Sequence, residues 1–135
     1  MSVGGLGLLF LEVNNLQESL DFYAGQLGFE LVSHTADAEP PMATLRAGVL
    51  RVMLAQQPLT MARRGRGVHF FFSVEDVDSY HAQLRARGLE PAPPTDEGWG
   101  GRFITLEDPD RYRLFFVTWE GEGGAEGPSE GARWN

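Results

Sequence analysis

The segment Val13-Asn14-Asn15-Leu16 returns as Val74-Glu75-Asp76-Val77, and Gly28-Phe29-Glu30 returns as Gly88-Leu89-Glu90. This internal repeat of about 60 residues constrains the fold more than any other feature, because each copy must be one supersecondary unit. In the first copy Gly7 to Val13 reads as a strand. "NNLQESLDFYAGQLGF" reads as a helix, with Asn14 or Asn15 as its N-cap and Leu16, Leu20, Tyr23 and Leu27 on one face. Gly28 suits the left-handed position past its end. "FELVSHTA", "MATLRAG" and "LRVMLAQ" are three further strands, broken by Pro40, Pro41 and Gly48.

The second copy restarts after the turn-rich connector "QQPLTMARRGRG". Val68 to Val74 reads as a strand and "EDVDSYHAQLRARG" as a helix with Val77, Tyr80 and Leu84 on one face. "LEPAPP" is expected to be a short edge segment, since its prolines exclude a central strand. "GRFITLED" and "YRLFFVTWE" are strands joined by the turn "DPDR". The predicted class is therefore α+β, built of tandem βαβββ modules. Each such unit leaves one apolar sheet face open, and two units can curl their mixed sheets around a shared cavity, with the helices outside. The modules cover about residues 6–56 and 67–119, with a linker at 57–66, in one domain spanning 1–120. The acidic, Gly-rich stretch 121–135 is expected to be a disordered tail.

Composition narrows the chemistry. The chain has no cysteine, which excludes disulfides, thiolate metal sites and cysteine nucleophiles. Every basic side chain is arginine, so lysine Schiff-base chemistry is excluded too. A formal net charge of −8 repels phosphate backbones and argues against a nucleic-acid partner. The same charge attracts cationic small molecules, or serves solubility alone. "MSVGGLGLLFLEV" lacks a basic leader pattern, and no apolar run reaches the roughly 20 residues of a membrane span. The default expectation is a cytoplasmic protein with no membrane partner.

Strand alternation sorts the side chains. Leu8, Phe10 and Glu12 share one face of the first strand, and Leu9, Leu11 and Val13 the other. His69, Phe71 and Ser73 oppose Val68, Phe70, Phe72 and Val74. Arg113, Phe115, Val117 and Trp119 oppose Leu114, Phe116 and Thr118.

A tandem βαβββ chain carrying "NLQESLDFYAGQLGFE" and the later "EDPD" turn resembles the vicinal oxygen chelate superfamily over about residues 6 to 119. That superfamily includes glyoxalase I, extradiol dioxygenases, fosfomycin-resistance enzymes and bleomycin-resistance proteins. The resemblance implies metal ligands on the first strand of each half and on the last strands. His69, seven residues before Asp76, holds one such position. The equivalent in the first half, seven before Asn15, is Leu8, and the usual glutamate position, seven after Asp108, is Phe115. "LRVMLA" offers no carboxylate. A divalent catalytic metal needs about three protein ligands, so no metal or other cofactor is expected and a binding protein is favoured over an enzyme.

By the same resemblance the His69 face points into the cavity. The expected pocket carries Phe10, Phe71, Phe115 and, at the strand end, Trp119, with His69, Glu12, Ser73 and Arg113 as polar points. It suits a planar or aromatic ligand; alternatively the aromatics simply fill the space. "EGWGGRFITLEDPD" resembles a segment of bleomycin-resistance proteins, which are acidic homodimers that bind cationic or aromatic antibiotics between subunits. This implies that Trp99 stacks on a flat ligand, Gly100 and Gly101 admit it, and Arg102 pairs an anionic or carbonyl group. The alternative readings are Trp99 as a plug at the cavity mouth and Arg102 as the partner of Glu107, Asp108 or Asp110. The arginine falls one place later than usual, and Arg111 stands where a glycine is usual, implying a different turn. Arg63, Arg64 and Arg66 form a basic patch, read as a solvated loop or as anion capture. His34 and His81 are expected on exposed faces without a role.

Three functions remain open from the sequence. The first is a metal-free homodimer that sequesters an aromatic or cationic compound such as an antibiotic. The second is an enzyme with His69 as base, since histidine exchanges protons near neutral pH. The third is a sensor or interaction domain with a filled cavity.

Overall fold

The computed structural model describes residues 2–58, 64–98 and 100–119. The expected tail at 121–135, Arg63 and Trp99 lie outside the described residues. The chain divides into two units, Met1–Arg63 and Arg64–Asn135, each with one four-stranded sheet. Together they are an α+β fold.

In the first unit β1 (Leu8–Val13) leads to α1 (Leu16–Leu20), then β2 (Glu30–Thr35), β3 (Met42–Ala47) and β4 (Leu50–Gln56). The sheet order is β1-β4-β3-β2. β1 runs parallel to β4, and the other pairs are antiparallel. The parallel pairing puts β1 beside the last strand, as a βαβββ unit requires. The sheet is not closed.

Alternation divides this sheet as expected. Leu11 and Val13 of β1, Ala43 and Leu45 of β3, and Val52 and Leu54 of β4 are buried with Leu16 and Leu20 of α1. Leu8, Phe10 and Glu12 are exposed on the other face. Asn15 caps α1, its side-chain oxygen accepting from the Glu18 amide at 2.9 Å.

The first helix departs from the expected uniform α-helix. After Leu20 it widens into a π-helical segment, Asp21–Gln26. The Leu27 amide donates to the Phe22 carbonyl at 2.8 Å and the Phe29 amide to the Tyr23 carbonyl at 2.9 Å. The wider turn brings two consecutive aromatics, Phe22 and Tyr23, into the core, where they meet edge to face at 5.2 Å. The expected stripe of Leu16, Leu20, Tyr23 and Leu27 is buried in full.

The second unit repeats the topology with β5 (His69–Ser73), α2 (Val77–Ala86), β6 (Thr95–Glu97), β7 (Gly101–Glu107) and β8 (Arg113–Trp119), in sheet order β5-β8-β7-β6. The edge strand is Thr95–Glu97, not the proline-bearing "LEPAPP". Three of those six residues are prolines and lack the amide that a ladder needs. Asp76 caps α2 by accepting from the amides of Asp78 and Ser79. Gly28 and Gly88 take positive φ past the two helices.

Both modules share a device that the sequence reading missed. The first-turn amide of α1, on Leu16, donates to Gln56 Oε1 at 2.8 Å. The first-turn amide of α2, on Val77, donates to Thr118 Oγ1 at 2.7 Å, and that hydroxyl donates to the Val74 carbonyl at 3.0 Å. Each helix start is thus tied to the last strand of its own module.

The β7–β8 turn is held by Asp108, whose carboxylate accepts from the Asp110 amide at 2.9 Å and the Tyr112 amide at 2.8 Å. Arg111 sits in it at φ 70. A side chain with a Cβ is strained in that left-handed region by roughly 1 kcal/mol. Arg111→Gly is therefore expected to raise stability by about 0.5–1 kcal/mol in denaturant titration, and an unchanged or lower midpoint would contradict this.

Candidate functional site

The second sheet has two chemically distinct faces. Phe70, Phe72, Leu114, Phe116 and Ile104 turn toward α2, where Phe116 meets Phe72 at 5.4 Å and Tyr80 at 4.9 Å between ring centres. The register pairs His69 with Arg113, Phe71 with Phe115, Ser73 with Val117, and Phe103 with Val117 from the other side. Directly paired residues share a face, so these side chains stand together on the open side.

Phe115 is the centre of that face. Its ring stacks on Phe71 at 4.4 Å with an interplanar angle of 9°. His69 and Phe103 each lie 5.5 Å from it, tilted. His69 is exposed, Phe71 is 37% exposed, and Phe115 and Phe103 are half-buried. Large apolar rings with this much surface in water are what an aromatic contact surface needs.

Polar groups border the rings at both ends. At one end Arg113, opposite His69, lies 3.7 Å from a carboxylate oxygen of Glu107. At the other, the Trp119 indole N–H donates to Ser73 Oγ at 3.1 Å. Trp119 therefore reaches across to the residue paired with Val117, and Val117 is fully buried.

The sequence-predicted residues thus divide. His69, Phe71, Phe115 and Arg113 are brought together. Phe10 is exposed on the open face of the first sheet, in the other unit. Trp99 lies outside the described residues. Arg102 stands on the helix side of β7, away from the aromatic face. Its guanidinium donates to both Asp78 oxygens at 2.9 Å and lies 3.2 Å from Asp96. Its partners are these two, not Glu107, Asp108 or Asp110, because its register neighbours Thr118 and Asp96 face α2.

Arg64 corrects the expectation of a solvated basic patch. It is buried and lies 3.6 Å from the buried carboxylate of Asp110. Burial raises the pKa of the neighbouring Tyr112, while Arg64, through a hydrogen bond and its charge, acts to lower it. Arg66 is exposed, as is His34, and His81 is half-buried and donates from Nε2 to the Pro91 carbonyl at 3.0 Å.

Phe103 and Glu107 belong to the aromatic face and were not placed there from the sequence. Counting outward from the Asp108 turn would have found both. Antiparallel pairing sets Glu107 opposite Arg113 and Phe103 opposite Val117.

The Arg102–Asp78 tie gives α2 an acid-sensitive anchor. Hydrogen bonding from Arg102, opposed by desolvation, lowers the Asp78 pKa below its ordinary 3.8. A folded-state pKa that is lowered contributes stability above the unfolded value and loses it as pH falls through the folded one. Acid titration of stability below about pH 3.8 is therefore expected to be shallower in Arg102→Ala than in the wild type. Identical acid limbs would contradict this.

Around His69 the donor chemistry does not fit a divalent cation. Its strand partner is the cation Arg113, and its ring neighbour is Phe115 at the position where the resemblance implies a glutamate. Among the described residues no three His, Cys, Asp or Glu side chains form a group able to hold a metal. No helix among them is long and apolar enough to cross a membrane.

Two βαβββ units, each with a four-stranded sheet that pairs its first strand with its last, define a class of small α+β proteins built of tandem modules. The model of the Glyoxalase/Bleomycin resistance protein/Dioxygenase superfamily matches residues 5–116, and the chain belongs to that superfamily. Solved structures agree in fold. A glyoxalase/bleomycin resistance protein/dioxygenase from Nocardioides is 24% identical, with a TM-score of 0.72, over 99% of this chain and 92% of the other. TnmS3, an antibiotic binding protein from Streptomyces sp. CB03234, is 23% identical with a TM-score of 0.70, over 86% of this chain and 96% of its own. The fosfomycin resistance protein FosX from Listeria monocytogenes is 20% identical with a TM-score of 0.70, over 90% of this chain and 96% of its own. No curated protein sequence matches the chain.

Proposed function

We propose that the protein binds a planar aromatic small molecule on the open face of its second sheet and sequesters it without a metal and without turnover. The observation that carries this reading is the stacked Phe71–Phe115 pair, extended by His69 and Phe103, on a face that retains exposure. Aromatic pairs gain roughly 0.5–1.5 kcal/mol beyond their buried area, so a ligand ring joining this array gains from several partners at once. The likeness in fold to an antibiotic binding protein supports an antibiotic-like ligand. Charge depletion in the middle of the face and charged groups at its margin suit a ligand with an apolar body and few polar substituents.

The test is a fluorescence titration against bleomycin-like, mitomycin-like and quinone compounds. Saturable quenching by at least one planar compound, unchanged by chelator, is expected. Flat titrations across the panel would contradict the proposal.

A second reading keeps His69 as a proton-transfer group, favoured by its exposure beside the Arg113 cation. It requires turnover of a bound compound that His69→Ala abolishes. Turnover unchanged in that variant would exclude it.

A further inference from the structure

The margin of the aromatic face carries one guanidinium, Arg113, and one carboxylate, Glu107. Arg113 and His69 are direct neighbours across the parallel β5–β8 pair, at the ends of their strands, and both are exposed. Phe115 lies two residues beyond Arg113 on the same side, about 6.6 Å further along the strand. The His69 ring is 5.5 Å from the Phe115 ring. A planar molecule lying on Phe115 and Phe71 therefore has one edge beside an imidazole and a guanidinium.

Glu107 is the carboxylate across from Arg113, and it leaves the guanidinium available. Its oxygen is 3.7 Å from Arg113 Nη2, beyond hydrogen-bond reach, and the two side chains are 55% and 51% exposed. An exposed pair at that distance is weak and readily exchanged for a better-placed anion. The contrast within this sheet is Arg102, held by both oxygens of Asp78 at 2.9 Å and so committed to its partner. At the equivalent register position of the first module Leu8 stands opposite Arg51, so no imidazole accompanies that guanidinium.

We propose that Arg113, with His69, forms a subsite for an oxyanion substituent, a carboxylate or sulfonate, on the aromatic ligand. The protein's ligand class is then a planar aromatic acid, in spite of the overall negative charge. This inference rests on the aromatic-ligand reading above. The guanidinium fork matches the two oxygens of a carboxylate, and a charge-assisted contact at the edge of an apolar face is stronger than one in open water. The imidazole N–H supplies a further donor. Glu107 acts as a resident counter-ion that the ligand displaces.

Three probes of one shape separate the possibilities: 2-naphthoate, neutral 2-naphthamide and the cationic (2-naphthyl)methylammonium, titrated calorimetrically into wild type, Arg113→Gln and Glu107→Gln. Naphthoate is expected to bind roughly tenfold tighter than naphthamide in the wild type. Arg113→Gln is expected to remove that advantage, bringing naphthoate down to the affinity of naphthamide. Glu107→Gln is expected to strengthen naphthoate a few-fold by removing its competitor. Naphthamide bound as tightly as naphthoate, or the cation bound tightest, overturns the oxyanion subsite and leaves the aromatic reading standing. Failure of all three probes to bind overturns both. An unchanged naphthoate preference in Arg113→Gln, with near-ultraviolet circular dichroism like the wild type, also overturns the subsite.

Discussion

Phe116→Ala is expected to lower the stability of the fold by about 3–5 kcal/mol, the usual cost of removing a fully buried aromatic ring. Phe116 is 1% exposed and lies between Phe72 of β5 and Tyr80 of α2. It joins the sheet to the helix, so its loss leaves a cavity at the centre of the second module. Tyr80 reports the damage independently. Burial pushes its phenol up to about 12. Water admitted by the cavity should bring it back toward the ordinary 10 in an ultraviolet titration. Chemical denaturation that shows a cost below about 1 kcal/mol would mean that Phe116 is not the hinge of that core.

Phe115→Ala, one residue away, is expected to do the reverse. The Phe115 ring is half-buried and faces the open side, so its removal should cost stability by only about 1–2 kcal/mol. Its effect on binding should be large. Phe115 touches Phe71, His69 and Phe103, and without it the aromatic array is divided. Affinity for a planar compound should fall at least about tenfold, which corresponds to the loss of one well-made stacking contact. Phe115→Leu keeps an apolar side chain in place and is expected to hold the fold at nearly wild-type stability while still losing most of the affinity. A variant that binds as the wild type does would remove Phe115 from the site.

These two neighbours show how much the sequence could tell. Alternation alone separated Phe116 from Phe115 and Phe70 from Phe71, because side chains in a strand must leave opposite faces. The tandem repeat set the order of elements, since each half needed its own strand, helix and three strands. Capping chemistry offers Asn14 or Asn15 for the first helix start, and the structure uses Asn15; Asp76, its counterpart in the repeat, caps the second.

The rest depended on relations that a one-dimensional pattern does not contain. The π-helical segment at Asp21–Gln26 follows from packing two adjacent aromatics, whereas the leucine spacing fits an ordinary helix. The β6 strand forms where amides are free to pair, beyond the prolines. The resemblance gives Arg102 a ligand group to pair, and its neighbours in sequence offer Glu107, Asp108 or Asp110 instead. Its partner Asp78 is 24 residues away, on the helix that covers the opposite face. Arg64 looked like part of a solvated cluster, and only the fold shows it lying against Asp110.

His69 summarises the gain. The resemblance marked it as a metal-ligand position whose companions had become Leu8 and Phe115. In the sheet Phe115 does stand beside it, as a ring and not as a carboxylate, and Arg113 stands opposite. The position has the surroundings of an aromatic contact with a cationic edge.

The most direct test of the aromatic face is a calorimetric titration of neutral 2-naphthamide into the wild type and into Phe115→Leu. The account predicts saturable binding by the wild type and at least about a tenfold loss in the variant at nearly unchanged stability. No binding by the wild type, or equal binding by both proteins, would contradict it.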